Sequence, residues 1–267
     1  MKVRKSSATA AATVFLLLSS LLVAVPSASA VTLTTNLAGR PIKADTLKWC
    51  TGIAYGKINN KFVLFTANHC NDGIYKPGTV VNGSAGRIGV WGGSLTGPWA
   101  AYDLNWIVLD SGAVPSNPHQ IYRGNCNIPG GCVFGTGTSS WWTVNNKLGN
   151  SAYSCANMGS HLSSLVAQNW RTTQSSTTPF VAGEVDTIVN GCEMLTSIDS
   201  HCPYKDSGSG LTDLNGEVIG IGHASTVNCG GQLIFTSFYE GLKKVDAYYD
   251  AIVPHIGAWL CVNTACT

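Results

Sequence analysis

Residues 62–70 read Phe-Val-Leu-Phe-Thr-Ala-Asn-His-Cys. The first four are apolar and rich in residue types that favour a β-strand, and the last two place a histidine beside a cysteine where that strand ends. On its own, His69 is more simply explained as a core or surface histidine next to a structural disulfide. The stretch therefore predicts a buried strand, and the rest of the chain must decide the role of the histidine.

Most of the remaining chain predicts further short strands separated by Gly, Asn, Ser and Thr. In residues 104–110, apolar side chains fall on both faces, which indicates a strand buried between two layers. Asn215 and Gly216 form a two-residue hairpin signal. Residues 239–252 carry apolar side chains three and four positions apart, which is typical of an amphipathic helix, and Pro254 ends it. The predicted fold class is therefore all-β with a C-terminal helix, either as β-barrels or as a sandwich.

The composition excludes several classes of protein. Only 11% of the 267 residues are charged and 45% are hydrophobic, which is unlike a disordered chain. The formal net charge is +2 and Lys and Arg form no cluster, so we do not expect a nucleic-acid partner. Ten cysteines, an even number that is high for a cytosolic protein, indicate an oxidising compartment.

The N-terminus has the layout of a secretory signal peptide. Two lysines and an arginine within the first five residues precede an apolar stretch at residues 10–25, and small residues follow at 28–30. The apolar stretch is shorter than the roughly 20 residues that a membrane-spanning helix needs. We therefore predict a signal peptide over residues 1–30, which carries the small positive net charge. The mature protein is expected to be secreted, extracellular and free of the membrane.

Two further motifs change the interpretation of His69. Asp103 opens an otherwise apolar strand, where an unpaired carboxylate would be costly, although an Asx turn is the simpler explanation of a lone Asp. Ser207 lies in the sequence Asp-Ser-Gly-Ser-Gly at residues 206–210, whose glycines allow a tight turn that exposes a hydroxyl. A serine becomes a good nucleophile when a histidine removes its proton and a carboxylate orients that histidine. Since His, Asp, Ser is a known chain order of such triads, we predict a catalytic triad of His69, Asp103 and Ser207.

These motifs resemble those of the chymotrypsin-fold, or trypsin-like, serine peptidases, and more closely those of the secreted bacterial branch. Residues 66–70 match the family pattern Thr-Ala-x-His-Cys, residues 103–107 match Asp-Leu-x-x-Ile, and residues 206–209 match the core of Gly-Asp-Ser-Gly-Ser. The resemblance extends from about Cys50 to Ile252. It implies two six-stranded antiparallel β-barrels with the active site between them, followed by the C-terminal helix.

The resemblance also implies a mechanism and a domain plan. His69 acts as general base and then as general acid, Asp103 orients it, and Ser207 forms an acyl-enzyme with a polypeptide substrate. The mature chain would be a single peptidase domain, for which we expect a monomer without cofactor or metal, since no Cys-x-x-Cys pair occurs. Its parts are expected at about 31–120 for barrel one, 121–240 for barrel two, 239–252 for the helix and 254–267 for a disulfide-stapled tail.

The resemblance assigns two of the disulfides. A bridge beside the catalytic histidine would join Cys50 to Cys70, and a bridge framing the specificity pocket would join Cys202 to Cys229. The other six cysteines can pair locally, as Cys126–Cys132, Cys155–Cys192 and Cys261–Cys266. Each bridge is expected to stabilise the fold by roughly 2–4 kcal/mol.

One position departs from the family pattern. Lys205 stands where the family usually has the glycine whose backbone N–H, with that of Ser207, forms the oxyanion hole. A lysine with positive φ there would be strained by roughly 1–2 kcal/mol, and loss of one donor slows such enzymes by about 10²–10³-fold. The alternative is therefore a catalytically silent relative that serves as a binding or adhesion protein. An unrelated secreted β-sandwich lectin would share the low charge, but the three ordered motifs count against it.

The sequence leaves the specificity pocket open. Because the spacing before Ser207 is one residue longer than is usual in the family, either Ser200 or His201 could form the base of the pocket. On the opposite wall, His223 and Ser225 are candidates for binding substrate and would suit an acidic side chain. His223 is explained equally well as a core or surface histidine.

Overall fold

A computed structural model provides the structure of the chain. It describes residues 36–44, 48–71, 77–83, 86–122, 141–161, 165–168, 181–199, 207–213, 215–227, 231–252, 257–262 and 266. The signal peptide predicted over residues 1–30 lies outside these ranges.

The described elements are sixteen strands, one α-helix and several short 3₁₀ turns. The N-terminal strands are β1 (Pro41–Ala44), β2 (Lys48–Thr51), β3 (Tyr55–Ile58), β4 (Lys61–Ala67), β5 (Val80–Gly83), β6 (Gly86–Ser94), β7 (Leu104–Leu109), β8 (Gln120–Tyr122) and β9 (Trp141–Thr143). The later elements are β10 (Leu165–Gln168), β11 (Val181–Val189), β12 (Glu193–Asp199), β13 (Gly210–Asp213), β14 (Val218–Ser225), β15 (Gln232–Ser237), α1 (Phe238–Ile252) and β16 (Ala258–Leu260).

The first sheet is an eight-stranded antiparallel sheet in the order β16-β3-β4-β7-β6-β5-β1-β2. The end strand β2 lies close to β3, the second strand from the opposite end, because residues 52–54 alone join the two. In this bend the Ile53 N–H donates to the Phe65 carbonyl at 2.8 Å, and the Phe65 N–H donates to the Ala54 carbonyl at 3.0 Å. The bend thus bonds to β4 and curls the sheet on itself.

The second sheet is a closed barrel of six antiparallel strands, in the order β10-β11-β12-β15-β14-β13. The predicted fold class is confirmed, since the protein consists of two curled antiparallel sheets and a C-terminal helix. The strand count of the first sheet differs from the expected six. One reason is that β16, from the C-terminal tail, pairs with the outer side of β3 and covers an edge that would otherwise be unpaired.

The hairpin β13–β14 shows how local sequence sets the second barrel. Gly216 has a φ of +81°, which glycine adopts without steric cost. The Asp213 carboxylate accepts hydrogen bonds at 2.9 Å from the backbone N–H groups of both Asn215 and Glu217. This turn chemistry confirms the hairpin predicted at Asn215 and Gly216.

Helix α1 connects the two halves. It follows directly on the last strand of the barrel, but its apolar face joins the core of the first sheet through Phe238, Leu242 and Val245. The ring of Phe238 packs edge-on against that of Phe65 on β4, with ring centroids 5.6 Å apart. The predicted helix is confirmed and begins one residue earlier than expected. Among the described residues, no helix combines the length and the apolar character needed to cross a membrane.

Candidate active site

His69 lies on a short turn that is held on several sides. Strand β4 ends at Ala67, and a 3₁₀ turn over Asn68–Asn71 follows. A disulfide ties Cys70 to Cys50 on β2. The hydroxyl of Thr66 donates to the Thr51 carbonyl at 2.9 Å and makes a second link between β4 and β2. The histidine is therefore presented by a stiff segment, while its side chain stays 33% exposed and open to a substrate.

Asp103 is brought to the same place by strand pairing. Strands β4 and β7 are antiparallel, and Ala67 is the partner of Leu104. Asp103, one residue before β7, therefore lies beside the turn that follows β4. The backbone confirms this proximity, since the Asn68 N–H donates to the Asp103 carbonyl at 2.7 Å.

The backbone of Asp103 has an unusual conformation. Its φ of 51° and ψ of 30° are left-handed, and its N–H closes the preceding 3₁₀ turn by donating to the Ala100 carbonyl at 3.0 Å. Aspartate tolerates this region better than most residues, and such local strain is common at functional sites. The conformation turns the carboxylate toward His69, and the side chain is only 4% exposed.

Two hydrogen bonds fix His69 on Asp103. Its backbone N–H donates to Asp103 Oδ1 at 2.8 Å, and its ring Nδ1 lies 2.5 Å from Asp103 Oδ2. An ionised carboxylate can only accept, so the ring must carry its proton on Nδ1. The lone pair of a neutral His69 is then on Nε2, the atom that can take a proton from a nucleophile.

The main chain of Ser207 lies between the two sheets. Its carbonyl accepts a hydrogen bond from the Thr51 N–H at 2.9 Å, which ties it to the first sheet. On the other side, the Gly208 N–H donates to the Gly222 carbonyl at 2.9 Å, and the Gly222 N–H donates to the Ser209 carbonyl at 2.7 Å. The predicted nucleophile is thus carried by a segment that both halves of the molecule hold.

Gly208 shows how closely this segment approaches β4. Its φ is +78°, and a Cβ at this position would lie 2.6 Å from Thr66 Oγ1 and 3.0 Å from the Ala67 nitrogen. Only glycine fits such a close approach. The residue after Ser207 therefore contacts the end of the strand that leads into His69. No hydrogen bond joins the Ser207 hydroxyl to His69 among the described residues.

His223, on β14, contacts the same carboxylate as His69. Its Nδ1 lies 2.9 Å from Asp103 Oδ2, and the two histidine rings are edge to face with centroids 5.9 Å apart. Its Nε2 lies 3.8 Å from Glu193 Oε1 on β12. The sequence predicted that His223 lies near the cleft, but it did not predict the contact with Asp103. The only available signal was a histidine in a strand expected to line the site.

These contacts shift the ionisation of two groups. Burial disfavours the charged form of Asp103, but the hydrogen bonds from His223 and His69 outweigh it, so the pKa of Asp103 is lowered. The hydrogen bond to Asp103 raises the pKa of His223 above 6.5, although burial opposes this, and the charges of Asp103 and Glu193 add to the rise. Both shifts favour a charged carboxylate between the rings.

The same three side chains have the composition of a metal site. Ligand atoms of His69, Asp103 and His223 lie within 4.8 Å of one another, a spacing that a metal ion could span. However, the Nδ1 atoms of both rings are at hydrogen-bond distance from one carboxylate oxygen. A proton on each Nδ1 accounts for this geometry, so we interpret the group as a hydrogen-bonded cluster.

The other predicted site residues have varied positions. Ser225 lies at the end of β14, where its hydroxyl donates to the Val227 carbonyl at 2.8 Å. Lys205, Ser200 and His201 lie outside the described residues.

The structure contains the disulfides Cys50–Cys70, Cys155–Cys192 and Cys261–Cys266. The pairs predicted as Cys126–Cys132 and Cys202–Cys229 lie outside the described residues.

Comparison with known proteins reveals a structural likeness. No family model matches the chain, and no curated protein matches it significantly in sequence. Thermobifida fusca protease A is 17% identical with a TM-score of 0.53, over 78% of this chain and 94% of its own. A glutamic acid-specific serine protease, reported to use a histidine triad in substrate binding, is 18% identical with a TM-score of 0.56. The match covers 84% of this chain and 100% of that protein. A chymotrypsin of Cellulomonas bogoriensis is 18% identical with a TM-score of 0.53. That match covers 85% of this chain and 98% of the chymotrypsin. The chain therefore has the fold of the bacterial chymotrypsin-like serine proteases, as its motifs predicted.

Proposed function

We propose that the chain is a secreted serine endopeptidase whose catalytic triad is His69, Asp103 and Ser207. The observation that carries this proposal is the short contact between His69 Nδ1 and the buried carboxylate of Asp103, 2.5 Å apart, beside the segment of Ser207. Secretion is supported by the three disulfides of the described chain, which persist in oxidising compartments. Polypeptides are the proposed substrates.

The proposed reaction proceeds in two halves. His69 Nε2 takes the hydroxyl proton of Ser207 while Oγ bonds to the substrate carbonyl carbon, and the carbonyl oxygen becomes an oxyanion. The protonated His69 then gives that proton to the leaving amine as the C–N bond breaks, which leaves an ester on Ser207. A water molecule repeats the sequence: His69 takes its proton, its oxygen attacks the ester, and the proton returns to Ser207 Oγ as the carboxylic acid leaves.

Asp103 has a defined part in this cycle. It keeps the His69 proton on Nδ1 and stabilises the imidazolium that forms in each half, without itself becoming protonated. Its lowered pKa suits this role, because the carboxylate stays charged across the pH range in which histidine titrates. The backbone N–H groups of Ser207 and Lys205 are the proposed donors to the oxyanion.

Substrate preference is a separate question. One structural neighbour acts on glutamic acid, but two features argue against extending that preference to this chain. His223 uses its Nδ1 on Asp103, and its Nε2 lies 3.8 Å from a carboxylate oxygen of Glu193, which would repel an acidic side chain. The substrate-binding roles of Ser200, His223 and Ser225 therefore stay predictions.

A fluorophosphonate probe tests the proposal directly, because it reacts covalently with an activated serine. We expect the mature protein to be labelled, and labelling to be lost in Ser207→Ala and strongly reduced in His69→Ala. The matched control is Ser160→Ala, which removes an exposed hydroxyl that donates to the Asn157 carbonyl at 2.7 Å and belongs to none of the predicted site residues. A folded wild-type protein that takes up no probe would contradict the proposal.

That negative outcome would favour the silent binding or adhesion protein. Lys205 is the residue on which this alternative depends, since it replaces the usual glycine of the oxyanion hole. Lys205→Gly separates the two possibilities, because restoring one donor is worth about 10²–10³-fold in rate. Turnover of a peptide ester that rises in this variant indicates an impaired hole. Turnover that stays level or falls shows that the backbone N–H of Lys205 already donates to the oxyanion.

A further inference from the structure

We propose that His223 is a positioning residue of this site, which holds Asp103 in place for His69 and must be neutral for the reaction to run. The inference rests on the proposed peptidase function and deepens it. In this interpretation, two histidines donate to the carboxylate of Asp103. Only one of them, His69, exchanges protons with the substrate.

The first support is the hydrogen bonding of Asp103. Its Oδ1 accepts the backbone N–H of His69 at 2.8 Å, and its Oδ2 accepts one Nδ1–H from His69 at 2.5 Å and another from His223 at 2.9 Å. With its side chain 4% exposed, the carboxylate depends on these donors to compensate for the water it has lost. His223 is the one of them that comes from the second barrel. Its removal would leave the carboxylate held by the two hydrogen bonds from His69, with no donor from the second sheet.

The second support is that β14 links the carboxylate to the nucleophile. Gly222, the residue before His223, is bonded through its backbone to both Gly208 and Ser209. One short stretch of strand therefore contacts Asp103 through its histidine and the Ser207 segment through its main chain. A displacement of His223 would therefore shift both the Asp103 carboxylate and the segment that carries Ser207.

The charges around His223 explain why its protonation matters. Within the part of the chain that the structure describes, three titratable groups face it: Asp103 before β7, His69 on the 3₁₀ turn, and Glu193 on β12. The residues of β15 that pair beside it, Ile234 and Phe235, are apolar. Asp103 and Glu193 both attract a proton to Nε2, the atom that lies 3.8 Å from Glu193.

A protonated His223 would oppose catalysis in two ways. Its positive charge would offset the charge of Asp103, and it would lie 5.9 Å, between ring centroids, from the imidazolium that forms on His69. The raised pKa of His223 means that this group keeps its proton to higher pH than an ordinary histidine. Activity then requires His223 to have lost that proton, in addition to the neutral His69 that the general base must be at the start of the cycle.

The test compares His223→Gln, whose amide can still donate to Asp103 but cannot titrate, with His223→Ala, which has no donor. The ratio kcat/KM for a peptide ester is measured from about pH 5 to pH 9 with fluorophosphonate labelling in parallel. The control is His119→Gln, a described histidine directly before β8 that is not one of the three clustered residues.

We expect the acid limb of the wild-type profile to approach a slope of two in log units, and that of His223→Gln to approach one. At alkaline pH, His223→Gln is expected to retain most of the activity. His223→Ala is expected to lose about 10–100-fold, mainly in kcat, because a hydrogen bond to a charged group is lost. His119→Gln should keep the wild-type profile.

Three results contradict this inference and can be told apart. If the folded wild type is not labelled by the probe, the proposed function fails and this inference with it. If the wild type is labelled but both His223 variants keep its slope and its rate, the positioning role alone is wrong. The histidine ¹⁵N spectrum of Ser207→Ala gives a check independent of turnover. A neutral His223 with its proton on Nε2 would also exclude the role.

Discussion

The two sheets contribute to the candidate site in different ways. The first brings His69 and Asp103 together through a single pair of adjacent strands, in which Ala67 is the partner of Leu104. The second contributes the segment of Ser207 and the side chain of His223, and both reach the site only through contacts between the sheets. The acid–base half is thus built within one sheet, whereas the nucleophile half depends on how the sheets are joined. Substitutions within the first sheet and substitutions at the junction of the sheets should therefore have different effects on activity and stability.

The largest effect is expected at the centre of the acid–base half. In Asp103→Asn, an NH₂ donor replaces one carboxylate oxygen, and it must face either the His69 backbone N–H at the Oδ1 position or the two ring Nδ1 atoms at the Oδ2 position. We expect kcat to fall on the order of 10⁴-fold, as a wrong tautomer costs in such triads. The measurement is ester hydrolysis at alkaline pH.

The matched control for that variant is Asp110→Asn, directly after the same strand. Its carboxylate pairs with Arg87 at 2.8 Å, and its side chain is 28% exposed, compared with 4% for Asp103. An ion pair of this kind contributes about 0–1 kcal/mol, so activity should stay near wild type. Equal losses in the two variants would mean that a negative charge beside β7 matters, rather than the Asp103 hydrogen bonds.

The second prediction concerns the bridge that stiffens the histidine turn. Removing it in Cys50→Ala, Cys70→Ala releases a loop with a sequence separation of 20 residues. We expect the free energy of unfolding to fall by about 3 kcal/mol, because the unfolded chain regains the entropy of that loop. Denaturant unfolding measures the change, and the comparison variant removes Cys261–Cys266, whose separation is only 5. A larger loss in the comparison variant would contradict the loop argument.

The extent to which the sequence predicts this molecule follows the same division. The apolar run at residues 62–65 and the spacing in residues 239–252 are local patterns, so β4 and α1 could be predicted from them. The contact of His223 with Asp103 joins residues 120 apart, and no periodicity reports it. The pairing of Leu260 with Gly56 also joins distant parts of the chain, so the eight-stranded first sheet was not foreseen. Long-range contacts depend on the packing of whole sheets, which a single sequence does not display.

A third prediction tests the junction between the halves. In Gly208→Ala the new methyl group would lie 2.6 Å from Thr66 Oγ1 and 2.7 Å from the Thr51 carbonyl oxygen, at a φ of +78°. The control is Gly191→Ala, at a similar φ of +75° but with open space around it. The control should lose about 1–2 kcal/mol from backbone strain alone, and Gly208→Ala should lose more. Equal losses by denaturant unfolding would show that the junction has room to adjust.

The smallest effect is a pH dependence of stability. Because the folded state raises the pKa of His223 above its ordinary 6.5, its contact with Asp103 should contribute fully to stability below that pH. The contribution should disappear as the pH rises through the folded-state pKa. The difference in unfolding free energy between wild type and His223→Gln should therefore be largest in mild acid and decline toward alkaline pH. Asp103 acts in the opposite sense, since its lowered pKa stabilises the fold at higher pH and that contribution is lost on strong acidification.

Glu193→Gln sharpens this last prediction. It removes the second carboxylate that faces His223, 3.8 Å from Nε2, and leaves the contact with Asp103 intact. The decline in stability should then move to lower pH, and the acid limb of the activity profile should move with it, because one proton controls both. The proton that stabilises the contact between the sheets is the one that must leave before His69 can act. The two transitions should therefore shift together in this variant, and a shift in only one of them would show that stability and activity depend on different histidines.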